Sequence, residues 1–272
     1  MSKVTSDMDA LKTRLRATWM AGDFGQIAKY NAPTAEEFIS RLNITLGMRV
    51  LDVACGTGNL SIPAARIGAT VTGVDIATNL LGQARARAKE EGLQIQFDEG
   101  DAEQLPYEDA SFDLVVSMYG AVFAPRPERV AAELVRVCRS GGRIAMANWT
   151  PEGFVGQMFK ATSKHLPPPQ GIPAPVLWGD ETMVRERLRD GISDLKLTRR
   201  VNLFEFPFDE ADVVEFYRRY FGPTQRAFEA LDDEKQAALR KDLEQLWREH
   251  NRATDGTIRV DAEYLEVVAA RS

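Results

Sequence analysis

The chain reads as α/β, a doubly wound sheet of mostly parallel strands. Three observations predict this. Short apolar runs recur between residues 50 and 149, each about the length of one buried strand. Helix-period segments separate nearly all of them, the alternation that builds a parallel sheet. The first run leads straight into glycines, and the second and third end in acids. That places polar groups at the carboxyl ends of strands, where open α/β sheets hold ligands.

The first run is Val50-Leu51-Asp52-Val53, followed by Gly56 and Gly58. Glycine suits this turn because a side chain would hold the backbone off a ligand, and because φ > 0 is often required. A helix is predicted from about Asn59 to Arg66. The second run, residues 70–76, ends at Asp75, and a helix follows over about 78–90. The third, 95–102, ends at Asp101. The fourth is 112–118 and the fifth 143–149. Between these last two, residues 127–138 read as a helix with Val130, Leu134, Val135 and Cys138 on one face, stopped by Ser140-Gly141-Gly142.

Ahead of the sheet, Met8, Leu11, Leu15 and Trp19 stand at near-helical spacing, and further helical turns are predicted at 26–30 and 35–42. Beyond residue 150 the organisation changes. Residues 154–164 look helical. The proline-rich stretch 165–175 fits neither helix nor central strand and reads as a rigid loop near the crevice. A helix over about 181–188 has Asp180 as its cap. Residues 195–208 alternate in part, residues 209–252 have helical period and many charges, and 257–270 read as a closing strand. No Gly/Ser linker and no repeat divides the chain, so residues 1–272 are expected to form one domain.

Composition narrows the classes. With 272 residues and 44% hydrophobic content, the chain can bury a full α/β core. The formal net charge of −6 is spread without a basic stripe, which argues against a nucleic-acid partner. No apolar run approaches the ~20 residues of a membrane span, and the N-terminus lacks the apolar core of a signal peptide. Two cysteines, Cys55 and Cys138, make neither a disulfide framework nor, with two histidines, a zinc site. The expectation is a cytoplasmic protein with no metal.

Four motifs stand in order: Asp52-Val53-Ala54-Cys55-Gly56-Thr57-Gly58, Gly73-Val74-Asp75, residues 100–106 from Gly100-Asp101-Ala102 to Pro106, and Phe112-Asp113-Leu114-Val115-Val116-Ser117. In these the chain resembles the class I S-adenosylmethionine-dependent methyltransferases of the small-molecule type, a group that includes the quinone-biosynthesis C-methyltransferases. The resemblance covers roughly residues 46–150. Ala54 departs from it, standing where many members carry the first glycine of the run. The resemblance implies a Rossmann-like sheet of seven strands with the last antiparallel. It makes residues 1–45 an N-terminal helical lid, 46–150 the cofactor-binding core and 209–252 a helical cap inserted before the last strand. The same insert could instead form a homodimer face.

The implied cofactor is S-adenosylmethionine, and the implied partner a small methyl acceptor. The turn at Ala54, Gly56 and Gly58 and the helix after it should receive the cofactor carboxylate. Asp52 would take its amino group. Asp75 would accept from both ribose hydroxyls, Ile76 would pack on adenine, Asp101 would accept from the adenine amine, and the Ala102 N–H would reach a ring nitrogen. Ser117 is delivered to the crevice, and Tyr30 would reach the cofactor from the lid. The apolar segment from Tyr119 to Ala124 points to an acceptor with an apolar body or to a site walled against water, with methylation at O, C or N. Tyr119 and His165 are the weak candidates for a base. His250, at the end of a charged helix, suits the dipole instead.

Two other classes compete. A nicotinamide-dependent oxidoreductase would also use Asp75, but Gly56-Thr57-Gly58-Asn59-Leu60-Ser61 lacks the third glycine of G-x-G-x-x-G. A non-catalytic module could keep the cofactor fold without turnover.

Overall fold

The structure is a computed structural model, and it describes residues 3–169 and 171–272. Met1 and Ser2 of the polar N-terminus and Gln170 of the proline-rich stretch lie outside the described residues.

Seven strands form one sheet: β1 (Arg49–Val53), β2 (Thr70–Asp75), β3 (Gln96–Glu99), β4 (Phe112–Met118), β5 (Cys138–Trp149), β6 (Ile192–Phe206) and β7 (Ile258–Arg271). Their order is β3-β2-β1-β4-β5-β7-β6. The pairs from β3 across to β5 are parallel, while β7 runs antiparallel to both β5 and β6. The last strand alone is therefore reversed. The order turns around between β1 and β4, so a crevice opens at the carboxyl ends of those two strands.

The interior of β1 is buried on both faces, which is why its residues are apolar without alternation. On one face, Val50, Leu114 and Ala145 pack under Phe38 and Ile39 of α3 (Ala32–Ser40) and Leu60 and Ala64 around α4 (Ser61–Arg66). On the other, Leu51, Val115 and Ile144 pack under Val130 and Leu134 of α6 (Pro127–Val137), Trp178, and Val184 of α8 (Glu181–Arg187). The helix α5 (Thr78–Glu90) covers the β2–β3 end with Leu81, Ala84 and Ala88.

Beyond the sheet stand α1 (Lys3–Trp19), α2 (Phe24–Ala28) and α7 (Phe154–His165), with the insert α9 (Glu210–Tyr220), α10 (Gly222–Glu229) and α11 (Asp233–His250). The insert is a packed unit rather than a loose excursion. Trp247 of α11 is 1% exposed and lies against Phe154, Phe204, Phe206 and Tyr217. The insert also meets the N-terminal helices. Gly22 bridges Phe221, and a Cβ on Gly222 would stand 2.0 Å from the Thr18 carbonyl oxygen, so α1 and α10 are joined at their ends by close backbone contact.

Three boundaries differ from the sequence expectation. Residues 56–60 are successive turns, so α4 opens at Ser61 rather than Asn59. Gly56 and Gly58, at φ 53° and 81°, hold the chain out of right-handed helix there. The helix α6 stops at Val137, and Cys138 begins β5. Cys138 shares the helical spacing of Val130 and Leu134, but pairing with Phe112 on β4 takes precedence over helical continuation. The third strand ends at Glu99; Gly100 and Asp101 lie past the ladder, with Asp101 bridging Gln104.

Candidate cofactor and acceptor site

A cavity of about 420 Å³ runs along the carboxyl edge of the sheet. One half lies over β1, β2 and β3 and is edged by Asp52, Ala54, Gly56, Asp75, Ile76, Asp101 and Ala102. The other reaches toward β5 and β6 and is walled by Trp149, Val155, Met158, Phe204, Tyr217 and Phe221. Trp19, Phe24, Phe123 and Phe159 lie between α1 and the cap.

In the first half the backbone presents the polar groups. Asp75 ends β2 and is 7% exposed; its carboxylate accepts from the Gly56 N–H and the Ala77 N–H, each at 2.8 Å. Burial pushes its pKa up, and the two N–H donors oppose that shift. Each oxygen keeps lone-pair capacity toward the cavity. Asp52, 1% exposed, accepts from the Ser61 hydroxyl at 2.6 Å. Burial raises its pKa to about 7; the Ser61 bonds oppose this and the charge of Asp75 adds to it. Asp101 accepts from the Glu103 N–H at 2.9 Å and from Lys12 Nζ of α1 at 2.5 Å. Lys12 also meets Glu103, itself bound by Arg126, and Arg16 meets Glu99 at 2.6 Å. Two cations of α1 thus lie against acids at the end of β3 and just past it.

The turn is shaped for close approach. Ala54 lies at φ 55°, left-handed backbone that glycine adopts without strain, which is why glycine is common in this position of the resembling motif. A Cβ on Gly120 would stand 2.6 Å from the Ala54 carbonyl oxygen, so the β4 turn can pass β1 here only as glycine.

Of the residues expected to form the site, Asp52, Ala54, Gly56, Asp75, Ile76, Asp101, Ala102 and Tyr119 line the cavity together. Four stand off its wall. Tyr30 turns away, with its ring 4.2 Å from that of Phe206 and 5.7 Å from that of Phe216, because aromatic burial in the cap draws it there. Gly58 lies one turn below, over Ala84, Phe97 and Ile62. Ser117 donates to the Val53 carbonyl and accepts from the Ala121 N–H, bracing the β4 turn from beneath. His165 pairs with Asp242 of α11 at 3.0 Å, at the far end of α7. Tyr119 reaches the wall, but its hydroxyl is sealed from solvent without a hydrogen-bond partner. Its ring stacks on Trp149 at 3.6 Å, and burial pushes the phenol pKa well above its ordinary value. His250 bonds Gln157 and the Leu246 carbonyl, away from the cavity.

Sequence reasoning missed most of the second half. Trp149, Met158, Phe204, Tyr217 and Phe221 come from four distant segments, and nothing local marks them. Asn31 was missed as well, because its partner Asn202 lies 171 residues away and no local pattern marks the pair. Among the described residues no group of three or more His, Cys, Asp and Glu is placed to hold a metal ion.

Residues 51–146 match the family described as Methyltransferase domain. An uncharacterised protein of Mycobacterium tuberculosis is 41% identical over 251 residues, covering 90% of this chain and 91% of its own. The phosphatidylethanolamine N-methyltransferase of Cereibacter sphaeroides is 35% identical over 144 residues, covering 52% of this chain and 69% of its own. Among solved structures, a Haemonchus contortus phosphoethanolamine N-methyltransferase in complex with phosphomonomethylethanolamine and S-adenosylhomocysteine superposes with a TM-score of 0.57. It is 18% identical, over 88% of this chain and 52% of that one, and so shares the fold. With the motif residues gathered at the carboxyl ends of β1 to β3 and these relatives beside them, the chain belongs to the class I S-adenosylmethionine-dependent methyltransferases, and its cofactor is S-adenosylmethionine.

Proposed function

We propose that this enzyme methylates a small, largely apolar acceptor held in the β5–β6 half of the cavity, at O, C or N. The observation that carries the reading is the division of the cavity. Its acids gather over β1 to β3, while the walls of the other half are aromatic and aliphatic. A cofactor with hydroxyl, amine and ammonium donors matches the first half. A body without charge matches the second.

In this reading the Asp75 carboxylate accepts from the ribose hydroxyls, Ile76 packs on the adenine, Asp101 accepts from its amine, and the Ala102 N–H reaches a ring nitrogen. Asp52 faces the amino group, and the glycine turn takes the carboxylate. The cofactor supplies an activated methyl group, so the protein need not generate one. The chain's part is to orient the acceptor and exclude water, and orientation alone is worth up to ~7–11 kcal/mol of barrier. Among the described residues no acid or histidine lines the aromatic half, and the Tyr119 hydroxyl is sealed within the wall. The reading therefore assigns no general base and favours acceptors that need none. Residues 1–45 act as a lid, with Lys12 and Arg16 as its charged contacts, and residues 209–252 act as the acceptor cap within a single domain.

Calorimetric titration with S-adenosylhomocysteine and with NAD tests the first half. Methyl transfer from labelled cofactor to a panel of phenols, quinols and amines tests the second. Tight S-adenosylhomocysteine binding with transfer to apolar members is the expected result. Preference for charged amines over every apolar compound would overturn the acceptor reading.

A further inference from the structure

We propose that Asn31 is an acceptor-positioning residue whose amide donates a hydrogen bond to an oxygen of the methyl acceptor, so that the acceptor is an apolar molecule bearing a carbonyl or phenolate oxygen. This rests on the apolar-acceptor reading of the cavity and adds one polar point to it.

Asn31 directly precedes α3 but is itself helical at φ −97° and ψ −10°, the last residue of a 3-10 turn over Lys29–Asn31, so its side chain is not called on to cap the helix. Its Oδ1 instead accepts from Asn202 Nδ2 at 2.7 Å, and Asn202 Oδ1 accepts from the Thr34 hydroxyl at 2.7 Å. Asn202 is wholly buried and Thr34 nearly so, so the chain of three is a fixed internal frame. It spends the Asn31 oxygen and leaves its nitrogen over. Among the described residues that nitrogen donates to no protein acceptor and is not sealed from solvent, and the residue lines the cavity.

The position separates this group from the cofactor anchors. Asn202 lies on β6, the outer strand beyond β7, and Phe204 two residues on walls the aromatic half. Asp52 and Asp75 lie on β1 and β2 and Asp101 just past β3, toward the opposite edge of the sheet. Tyr217 also lines the aromatic half, but a phenol both donates and accepts and so does not discriminate. The Asn31 amide, with its oxygen bonded to Asn202, has its NH2 donors unspent. A buried frame that holds an amide at the cavity wall with its donor group unspent is the observation that marks a functional position.

The test is binding to the S-adenosylhomocysteine complex of the full chain, read by calorimetry with two probes of one carbon skeleton. α-Tetralone carries a carbonyl, and tetralin lacks it. The wild type should bind the ketone about tenfold more tightly than the hydrocarbon. Asn31→Asp, near-isosteric, should abolish that difference and favour α-tetralol, which brings a donor, while S-adenosylhomocysteine affinity stays within about twofold. Asn202→Leu, which removes the partner of the Asn31 oxygen, should erase the ketone preference without the reversal. Equal binding of ketone and hydrocarbon by the wild type would overturn the proposal while leaving the apolar-acceptor reading standing. So would a loss of S-adenosylhomocysteine affinity in Asn31→Asp that matches the loss for the ketone, since Asn31 would then serve the cofactor. Binding of neither probe to a complex that holds S-adenosylhomocysteine would overturn both readings.

Discussion

The two halves of the cavity are built by different means. Over β1 to β3, each polar group stands at the end of a strand or in the turn that follows it, within residues 52–102. Over β5 and β6, the wall is assembled from the end of β5, α7, β6, α9 and the turn before α10, segments that meet only in the folded chain. The first half depends on backbone geometry and a few charges. The second depends on packing. Perturbations should therefore separate: damage to the roof should cost stability and acceptor binding, and damage to the strand ends should cost the cofactor.

The largest expected effect comes from the roof. Trp247 is 1% exposed and touches four aromatic side chains of α7, β6 and α9. Trp247→Ala should lower unfolding free energy by about 3–5 kcal/mol, measured by denaturant titration. In conditions where the variant remains folded, S-adenosylhomocysteine affinity should change less than about threefold, because Trp247 packs over the β6 half and the anchors sit on β1 to β3. A loss of cofactor affinity as large as the loss of stability would show that the halves are one cooperative unit.

Asp75 probes the other side. Asp75→Ala removes a buried acceptor and should weaken S-adenosylhomocysteine binding by about 1–3 kcal/mol in calorimetry. It also leaves the Gly56 and Ala77 N–H groups without their partner, so a moderate loss of stability should accompany it. An unchanged dissociation constant would remove the ribose assignment.

The contrast between the halves also explains what could be read from sequence. Asp52, Gly56, Asp75 and Asp101 were legible because each sits where a buried strand ends, and a strand end is marked by its own neighbours in the chain. The sheet, its reversed last strand and the helical character of the insert follow from periodicity together with the family resemblance. Tyr30 was misplaced because its surroundings are Phe206 and Phe216, more than 170 residues away, and no local pattern shows that pull. Cys138 fits a helical face by spacing, and only its pairing with Phe112 takes it into β5. The aromatic wall was invisible for the same reason: single residues from separate segments become a surface only after the insert closes.

A smaller effect is expected from pH. Burial holds the Asp52 carboxyl near pKa 7, and in the proposed reading the ammonium of the cofactor faces it and favours the ionised form. Binding then expels a proton wherever the free protein still holds one. Affinity should rise as pH increases from about 6 toward 7, by at most about tenfold per unit, and flatten above that. Asp52→Asn should flatten the whole profile. Titrations with S-adenosylhomocysteine in buffers of different ionisation enthalpy would detect the proton directly. An affinity that falls over the same interval would place the ammonium elsewhere.

The smallest effect tests whether the wall between the halves takes part in chemistry. Tyr119 sits at φ 59°, held there because its N–H donates to the Ala147 carbonyl at 2.9 Å and its ring lies on Trp149. Its hydroxyl lies near Asn202, yet no hydrogen bond of good geometry joins them, since Asn202 is engaged by Asn31 and Thr34. A buried hydroxyl without a partner is a cost that phenylalanine does not carry. Tyr119→Phe should therefore raise unfolding free energy by up to about 1 kcal/mol and leave S-adenosylhomocysteine affinity unaltered. Turnover should stay within about twofold, whereas loss of a general base would cost about 10²–10⁴-fold. A drop of that size with cofactor binding intact would mean that the Tyr119 hydroxyl swings out of the wall when an acceptor enters, and the aromatic half would then be a moving part rather than a preformed chamber.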